Sequence, residues 1–165
     1  MDFTIYDIPD TRVLVKNRQE KTGTLQGMTL YRMTLYLGEE VAGHIHFRID
    51  GNMAILNTGI SANWSFVPSD AISVNYYIRK KYKGIGRSLI NHALSVCAKQ
   101  GVKSMHVYNI RDREVEEFYR KCDFYVYYAE ATRVITPEMT TPSIQIVKKR
   151  KTSGRKESGG IGLSA

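Results

Sequence analysis

Residues 79–86, Arg79-Lys80-Lys81-Tyr82-Lys83-Gly84-Ile85-Gly86, stand between two runs of different hydrophobic period, and that junction limits the fold more than any other stretch. Upstream, Ile72, Val74, Tyr76 and Ile78 alternate with Ser73, Asn75 and Tyr77, which is the period of a strand. Downstream, Leu89, Ile90, Ala93, Leu94 and Cys97 fall on one face of an α-helix that Gly101 terminates. A strand that feeds a glycine-containing basic loop and then a helix has the physics of an anion cradle. Glycine lets backbone pass close to a ligand, the first N–H groups of a helix lack internal partners, and Lys81, Lys83 and Arg87 add charge. It is not a Walker loop, because no Lys-Ser or Lys-Thr follows the second glycine. It is not the dinucleotide fingerprint either, because Ser88-Leu89 stands where a third glycine belongs. A solvated basic turn is the plain alternative.

The rest of the chain supplies strands before this junction and a second helix after it. Residues 3–8 alternate as a first strand that Pro9-Asp10 ends, and residues 11–15 read as extended. Residues 16–27 are polar with two glycines, and no pair of amphipathic helices is legible there. Tyr31, Met33, Leu35 and Leu37 share one face of a strand that stops at Gly38-Glu39-Glu40. In the next strand Ile45, Phe47 and Ile49 face one way and His44, His46 and Arg48 the other, before a tight turn at Asp50-Gly51. Residues 53–60 are expected to pair back and residues 61–70 to form a loop. After the first helix, Met105 and Val107 begin a short strand. Asp112 is expected to cap a second helix with acidic residues early, Arg120 and Lys121 late, and a buried stripe of Val115, Phe118, Tyr119 and Cys122. Residues 124–131 follow as an aromatic-rich strand. The order predicts an α/β fold of mixed, mainly antiparallel sheet with flanking helices.

Composition removes whole classes of function. At 165 residues, 42% hydrophobic and 24% charged, the chain has the makeup of one globular domain rather than of a disordered or collagen-like protein. No apolar run approaches a membrane span, no membrane partner is expected, and acidic residues stand at the N-terminus where a secretory leader would be basic. A cytoplasmic protein is the expectation. Cys97 and Cys122 sit in apolar stripes and are expected in the core, and no metal is expected. His44 and His46 share a strand face, with no third ligand evident. The net charge of +8 is concentrated at the end of the chain, where Lys148, Lys149, Arg150, Lys151, Arg155 and Lys156 face Glu157 alone. Residues 1–147 are therefore expected to form the domain and 148–165 a basic, disordered tail. Nucleic acid is an expected contact of residues 148–156, although no aromatics are interleaved there for base stacking.

Two stretches together resemble a known family. Lys81-Tyr82-Lys83-Gly84-Ile85-Gly86-Arg87-Ser88-Leu89-Ile90 is similar to the acyl-CoA loop of the GNAT family of N-acetyltransferases, written Q/R-x-x-G-x-G/A. Residues 112–124, from Asp112 through Tyr119 to Phe124, resemble that family's N-x-x-A-x-x-L-Y-x-K-x-G-F, and they follow at the expected distance. Residues 38–45 resemble its second hairpin. The resemblance implies a GNAT-type sheet whose central strands splay apart, with acetyl-CoA as cosubstrate in the cleft and an amine as acceptor. Backbone N–H groups of Lys83, Gly84, Ile85, Gly86, Arg87 and Ser88 would hold the pyrophosphate, with Lys81 nearby. The backbone at Tyr77 and Ile78 would pair with the pantetheine arm. Asp112 stands where an asparagine often contacts the cofactor, and Tyr119 matches the tyrosine assigned as general acid.

The departures are Lys81 for glutamine or arginine, Asp112 for asparagine and Asp123 for glycine. The strand-to-loop segment is also shorter than in common members, so a register placing Tyr82-Lys83-Gly84 on the family's Y-R-G stays open. Members often cover the acceptor side with two helices after the first strand. Residues 9–27 are too polar for both, which favours a macromolecular acceptor: a protein, or an amine carried on aminoacyl-tRNA or another RNA. A GNAT-fold module of reduced catalysis that binds nucleic acid is the alternative, and a homodimer is compatible with either. No general base stands out among His44, His46, Glu39, Glu40, Ser73 and Asn75.

Overall fold

The computed structural model describes residues 2–8, 13–25, 28–56, 71–110, 112–143 and 146–149. The expected loop at 61–70 and residues 150–165 of the expected tail lie outside these.

Asp2–Ile8 (β1), Val13–Leu25 (β2), Met28–Leu37 (β3) and Glu40–Asp50 (β4) form an antiparallel meander. Alternation in β3 and β4 buries one face, with Met33, Leu35, Ile45 and Phe47 all but sealed from water. β2 carries no such pattern. Its polar second half is strand because the edge of β3 offers it a ladder from Val15 opposite Leu37 to Leu25 opposite Met28, with one irregularity between Lys21 and Gly23. Non-local hydrogen bonding decides a segment that local periodicity leaves open.

The remaining elements are Met53–Leu56 (β5), Ile72–Val74 (β6), Tyr76–Lys81 (α1), Tyr82–Lys83 (β7), Ile85–Lys99 (α2), Ser104–Val107 (β8), Arg113–Lys121 (α3), Tyr125–Tyr127 (β9), Glu130–Val134 (β10), a 3-10 turn at Pro137–Thr140, and Val147–Lys148 (β11). Among the described residues, nine strands make one mixed sheet in the order β1-β2-β3-β4-β5-β8-β10-β9, with β6 also on β4. β5 with β8 is its parallel pair and the other pairings are antiparallel, as the sequence predicts. On the edge away from β3, β4 holds two partners: Phe47 to Asp50 pair with β5, and Gly43 to Ile45 pair with β6. β8 follows β5 along its whole length and does not pair with β6. The sheet therefore splits between β6 and β8, the splay expected of the central strands.

Three expectations need correction. The alternating strand does not run to Ile78 but stops at Val74. Asn75 Oδ1 there accepts hydrogen bonds from the N–H groups of Tyr77 (2.9 Å) and Ile78 (3.1 Å) and so opens α1. A good N-cap outweighs alternation. Residues 124–131 are not one strand but part of the β9–β10 hairpin, whose turn holds Tyr128 at φ +56°. Lys148, assigned to the tail, lies in β11, which pairs with β7, and the Lys149 N–H just after it donates to the Lys81 carbonyl.

The apolar stripe of α2 is buried as expected, but so are Ser88, His92 and Ser95. The chain after β10 lies along the outer side of this helix: Asn91 Nδ2 donates to the Ser143 carbonyl (3.2 Å) and Ser95 Oγ to the Thr140 carbonyl (2.7 Å). Burial pushes the Cys97 thiol up to about 12 and the Cys122 thiol up to about 11, so both are inert core groups.

Burial, with a smaller contribution from Lys99, lowers His92 to about 4. Burial, then His44 and Arg32, lowers His46 to about 4. Both histidines are neutral in the fold, and the unfolded chain takes up their protons first. Their contribution is complete above the ordinary histidine value of about 6.5 and is lost as pH falls toward 4. For His92 the slope is at most about 1.4 kcal/mol per pH unit. Urea unfolding midpoints should drop from pH 6.5 to pH 4.5, and His92→Gln should show a smaller drop than the wild type.

Candidate functional site

Where β6 and β8 part, a cavity of about 810 Å³ opens, within the range of small-molecule and cofactor sites. Ile72 and Val74 line one wall and residues 107–110 the other. The Asn75 N–H donates to the Ala42 carbonyl (2.8 Å), and the His46 N–H donates to the Ala71 carbonyl (2.9 Å). Alternation along an antiparallel ladder then turns the N–H and C=O of Ile72 and Val74 away from β4, toward the gap. Opposite them, β8 is paired on both edges through Val107, after which the chain leaves the ladder with Asn109 at φ +62°.

The gap runs into the start of α2. Gly84 caps this helix at φ +94°, a conformation costly for any residue with a Cβ, and no side chain caps the helix. The Ser88 N–H donates to the Gly84 carbonyl (3.0 Å), so the amides of Ile85, Gly86 and Arg87 are the ones left without a partner inside the helix. A Cβ on Gly86 would lie 3.0 Å from Phe118 Cε1, which shows how closely α3 closes over the loop. Arg79, Lys83 and Lys149 bring positive charge to the wall, and Asp112 and Glu114 bring negative charge. Asp112 Oδ1 accepts from the Glu114 N–H (3.0 Å), the capping role predicted for it.

Lys83, Gly84, Ile85, Gly86, Asp112 and Tyr119 of the expected site therefore meet around one cavity. Tyr77, Ile78, Lys81, Arg87 and Ser88 do not line it. Tyr77 is exposed, Ile78 is in the core and Ser88 is fully buried. The amides of Tyr77 and Ile78 are taken by Asn75, so the strand edge expected at those residues lies at Ile72 and Val74 instead. Arg87 acts electrostatically on Cys122, near the end of α3. Sequence reasoning missed Arg79, Phe118 and Lys149 as wall residues. Arg79 and Phe118 were within quoted motifs, whereas nothing local marked Lys149.

Tyr119 is packed edge-on between Phe118 and Phe124, with ring centroids 5.1 and 5.2 Å away. Burial, with Cys122 a smaller cause, raises its phenol above the ordinary tyrosine value. It keeps its proton at any working pH. Asp123, where the resemblance has glycine, takes φ +68° and keeps the turn into Phe124, with Arg133 donating to the Cys122 carbonyl beside it. His44 and His46 meet edge to face at 5.1 Å. Among the described residues, no group of three or more His, Cys, Asp or Glu is placed to hold a metal.

A family model described as the acetyltransferase (GNAT) family matches residues 5–124. The chain belongs to the GNAT acetyltransferase family. Acyl-CoA is the family's acyl donor, and the observed cleft fits it: uncapped helix amides beside cations suit phosphates, and an open strand edge suits an extended amide arm. A solved structure of the cAMP-binding acyltransferase from Mycobacterium smegmatis, an arginine-to-lysine mutant, shares this GNAT fold at 11% identity with a TM-score of 0.53. The match covers 82% of this chain and 48% of that one, so the chain spans about half of that protein's length. Comparison with curated proteins gave no match. No helix among the described residues of this GNAT protein is long and apolar enough to cross a membrane.

The cleft depends on β6 keeping its place on β4. A Cβ on Gly43 would lie 2.5 Å from the Ser73 carbonyl oxygen and 3.3 Å from Leu89 Cδ1. Gly43→Ala should therefore cost about 1–3 kcal/mol in urea unfolding. Gly38→Ala, at φ +63° with open space around it, should cost about 1–2 kcal/mol, from backbone strain alone.

Proposed function

We propose that this protein is an N-acetyltransferase that moves acetyl from acetyl-CoA to an amine on a macromolecular acceptor. The observation that carries the reading is the gap between β6 and β8 running directly into the uncapped N-terminus of α2. When bound, acetyl-CoA supplies an acyl group activated as a thioester.

The chain's own residues would do the rest. The amides of Ile85, Gly86 and Arg87, with the positive end of the α2 dipole, would hold the pyrophosphate. The open edge of Ile72 and Val74 would align the pantetheine arm and present a fixed N–H to the thioester carbonyl, where negative charge develops as the amine attacks. Val107, Ile110, Val115 and Phe118 contribute apolar surface that keeps water from the thioester. Tyr119 would hold a proton on its phenol oxygen for the departing sulfur. The burial that raises the phenol would raise a thiol in the same cleft too, as it does for Cys97 and Cys122, so the transfer stays feasible.

A macromolecular acceptor is supported by residues 13–25, which form the strand β2 where family members often carry covering helices.

Isothermal titration with acetyl-CoA is the first test. Wild type should bind saturably, and Gly86→Glu, which sets a carboxylate against the cradle and Phe118, should abolish binding. A folded wild type that does not bind would favour the nucleic-acid-binding module instead. For the chemical step, Tyr119→Phe should keep the melting temperature within a few degrees and leave acetyl-CoA affinity unchanged. It should lower kcat by on the order of 10²-fold. An unchanged kcat would reduce Tyr119 to a packing residue.

A further inference from the structure

The last described residues return to the anion loop. Ile146 is 4% exposed and joins the core, which fixes the chain just before β11. β11 then lies antiparallel to β7, with Val147 opposite Lys83 and Lys148 opposite Tyr82. The Lys149 N–H donates to the Lys81 carbonyl at 2.7 Å. Because hydrogen-bonded pairs alternate along such a ladder, this bond makes Val147 and Lys83 the next hydrogen-bonded pair. The backbone leading into Gly84 is thus held by a segment more than sixty positions away in sequence.

Lys149 also lines the cavity. Of the loop cations that the sequence suggested, Lys81 and Arg87 do not line it. Lys83 does, and with it Arg79 and Lys149, which the sequence had not pointed to; set against Asp112 and Glu114, Lys149 turns a formally neutral wall into a positive one. A doubly charged pyrophosphate beside the α2 N-terminus needs that sign.

We infer that residues 146–149 form a strap that fixes the anion loop, and that Lys149 is a direct ligand of the acyl-CoA pyrophosphate. The inference rests on the acyl-CoA reading above and extends its site to the C-terminal segment. The strap sets the position of Gly84 and the amides after it. Lys149 supplies a mobile point charge that those amides lack.

The test is isothermal titration of the full-length protein with coenzyme A and with 3′-dephospho-coenzyme A at two salt concentrations. Lys149→Ala should weaken both ligands by about tenfold, as for loss of one charge-assisted hydrogen bond. It should also make binding less salt-dependent, while Lys149→Arg restores most of the affinity. Val147→Pro, which removes a ladder N–H but keeps Lys149, should weaken both ligands too, with a cooperative melt showing that the protein is folded. Unchanged affinity in Lys149→Ala overturns the ligand assignment. A loss confined to coenzyme A moves Lys149 to the ribose phosphate and overturns the pyrophosphate assignment. Unchanged affinity in Val147→Pro overturns the strap. If wild type binds neither ligand, the acyl-CoA reading itself fails, an outcome distinct from the others.

Discussion

The backbone of β6 approaches β4 at Gly43 more closely than any side chain there would permit, since a Cβ would stand 2.5 Å from the Ser73 oxygen. That contact lets one long strand serve two short partners in turn. β5 takes one end of β4 and carries β8 with it, while β6 takes the other end and, among the described residues, leaves its outer edge unpaired. An unpaired strand edge inside a sheet is a costly feature unless something pairs with it. Here it faces a cavity that ends at a helix N-terminus, so the unmet hydrogen bonds of the sheet and of α2 converge on one volume.

What surrounds that volume sets its chemistry. α3 brings the ring of Phe118 against Gly86 and places Tyr119 in the wall, and the aromatic packing that buries Tyr119 also raises its phenol. Asp112 is spent on capping α3, which explains how a carboxylate is tolerated near an anion-binding loop: its charge answers the helix start rather than the ligand. Positive charge comes from Arg79 on α1, Lys83 on β7 and Lys149 just past β11.

The segment after β10 binds these parts together. It crosses the outer side of α2, where Ser95 and Asn91 hold its carbonyls, anchors Ile146 in the core and ends paired with β7. The helix that bears the anion site is thereby fixed on two sides and at its leading turn. His92, on the same helix as Asn91 and Ser95, is 2% exposed, and burial keeps it neutral.

Much of this was legible in the residues alone. The alternation in β3 and β4, the stripe of α2, the Asp112 cap and the glycines of the loop are local patterns set by backbone geometry and burial, and local patterns can be read from sequence. The two motifs also placed Gly84, Gly86, Asp112 and Tyr119 around one site. Other features depended on what lies across space. β2 is strand because β3 offers it an edge. The central strand gives way to α1 at Asn75, whose side chain ties down the amides of Tyr77 and Ile78 while its own N–H stays bonded to Ala42, a balance alternation does not reveal. Lys149 reads as one more cation of a basic tail until β11 finds β7. Sequence determined which segments could be strand, helix or anion loop. Only the tertiary structure decided which edges stayed unpaired and which charges reached the cleft, because both depend on contacts between residues far apart in the chain.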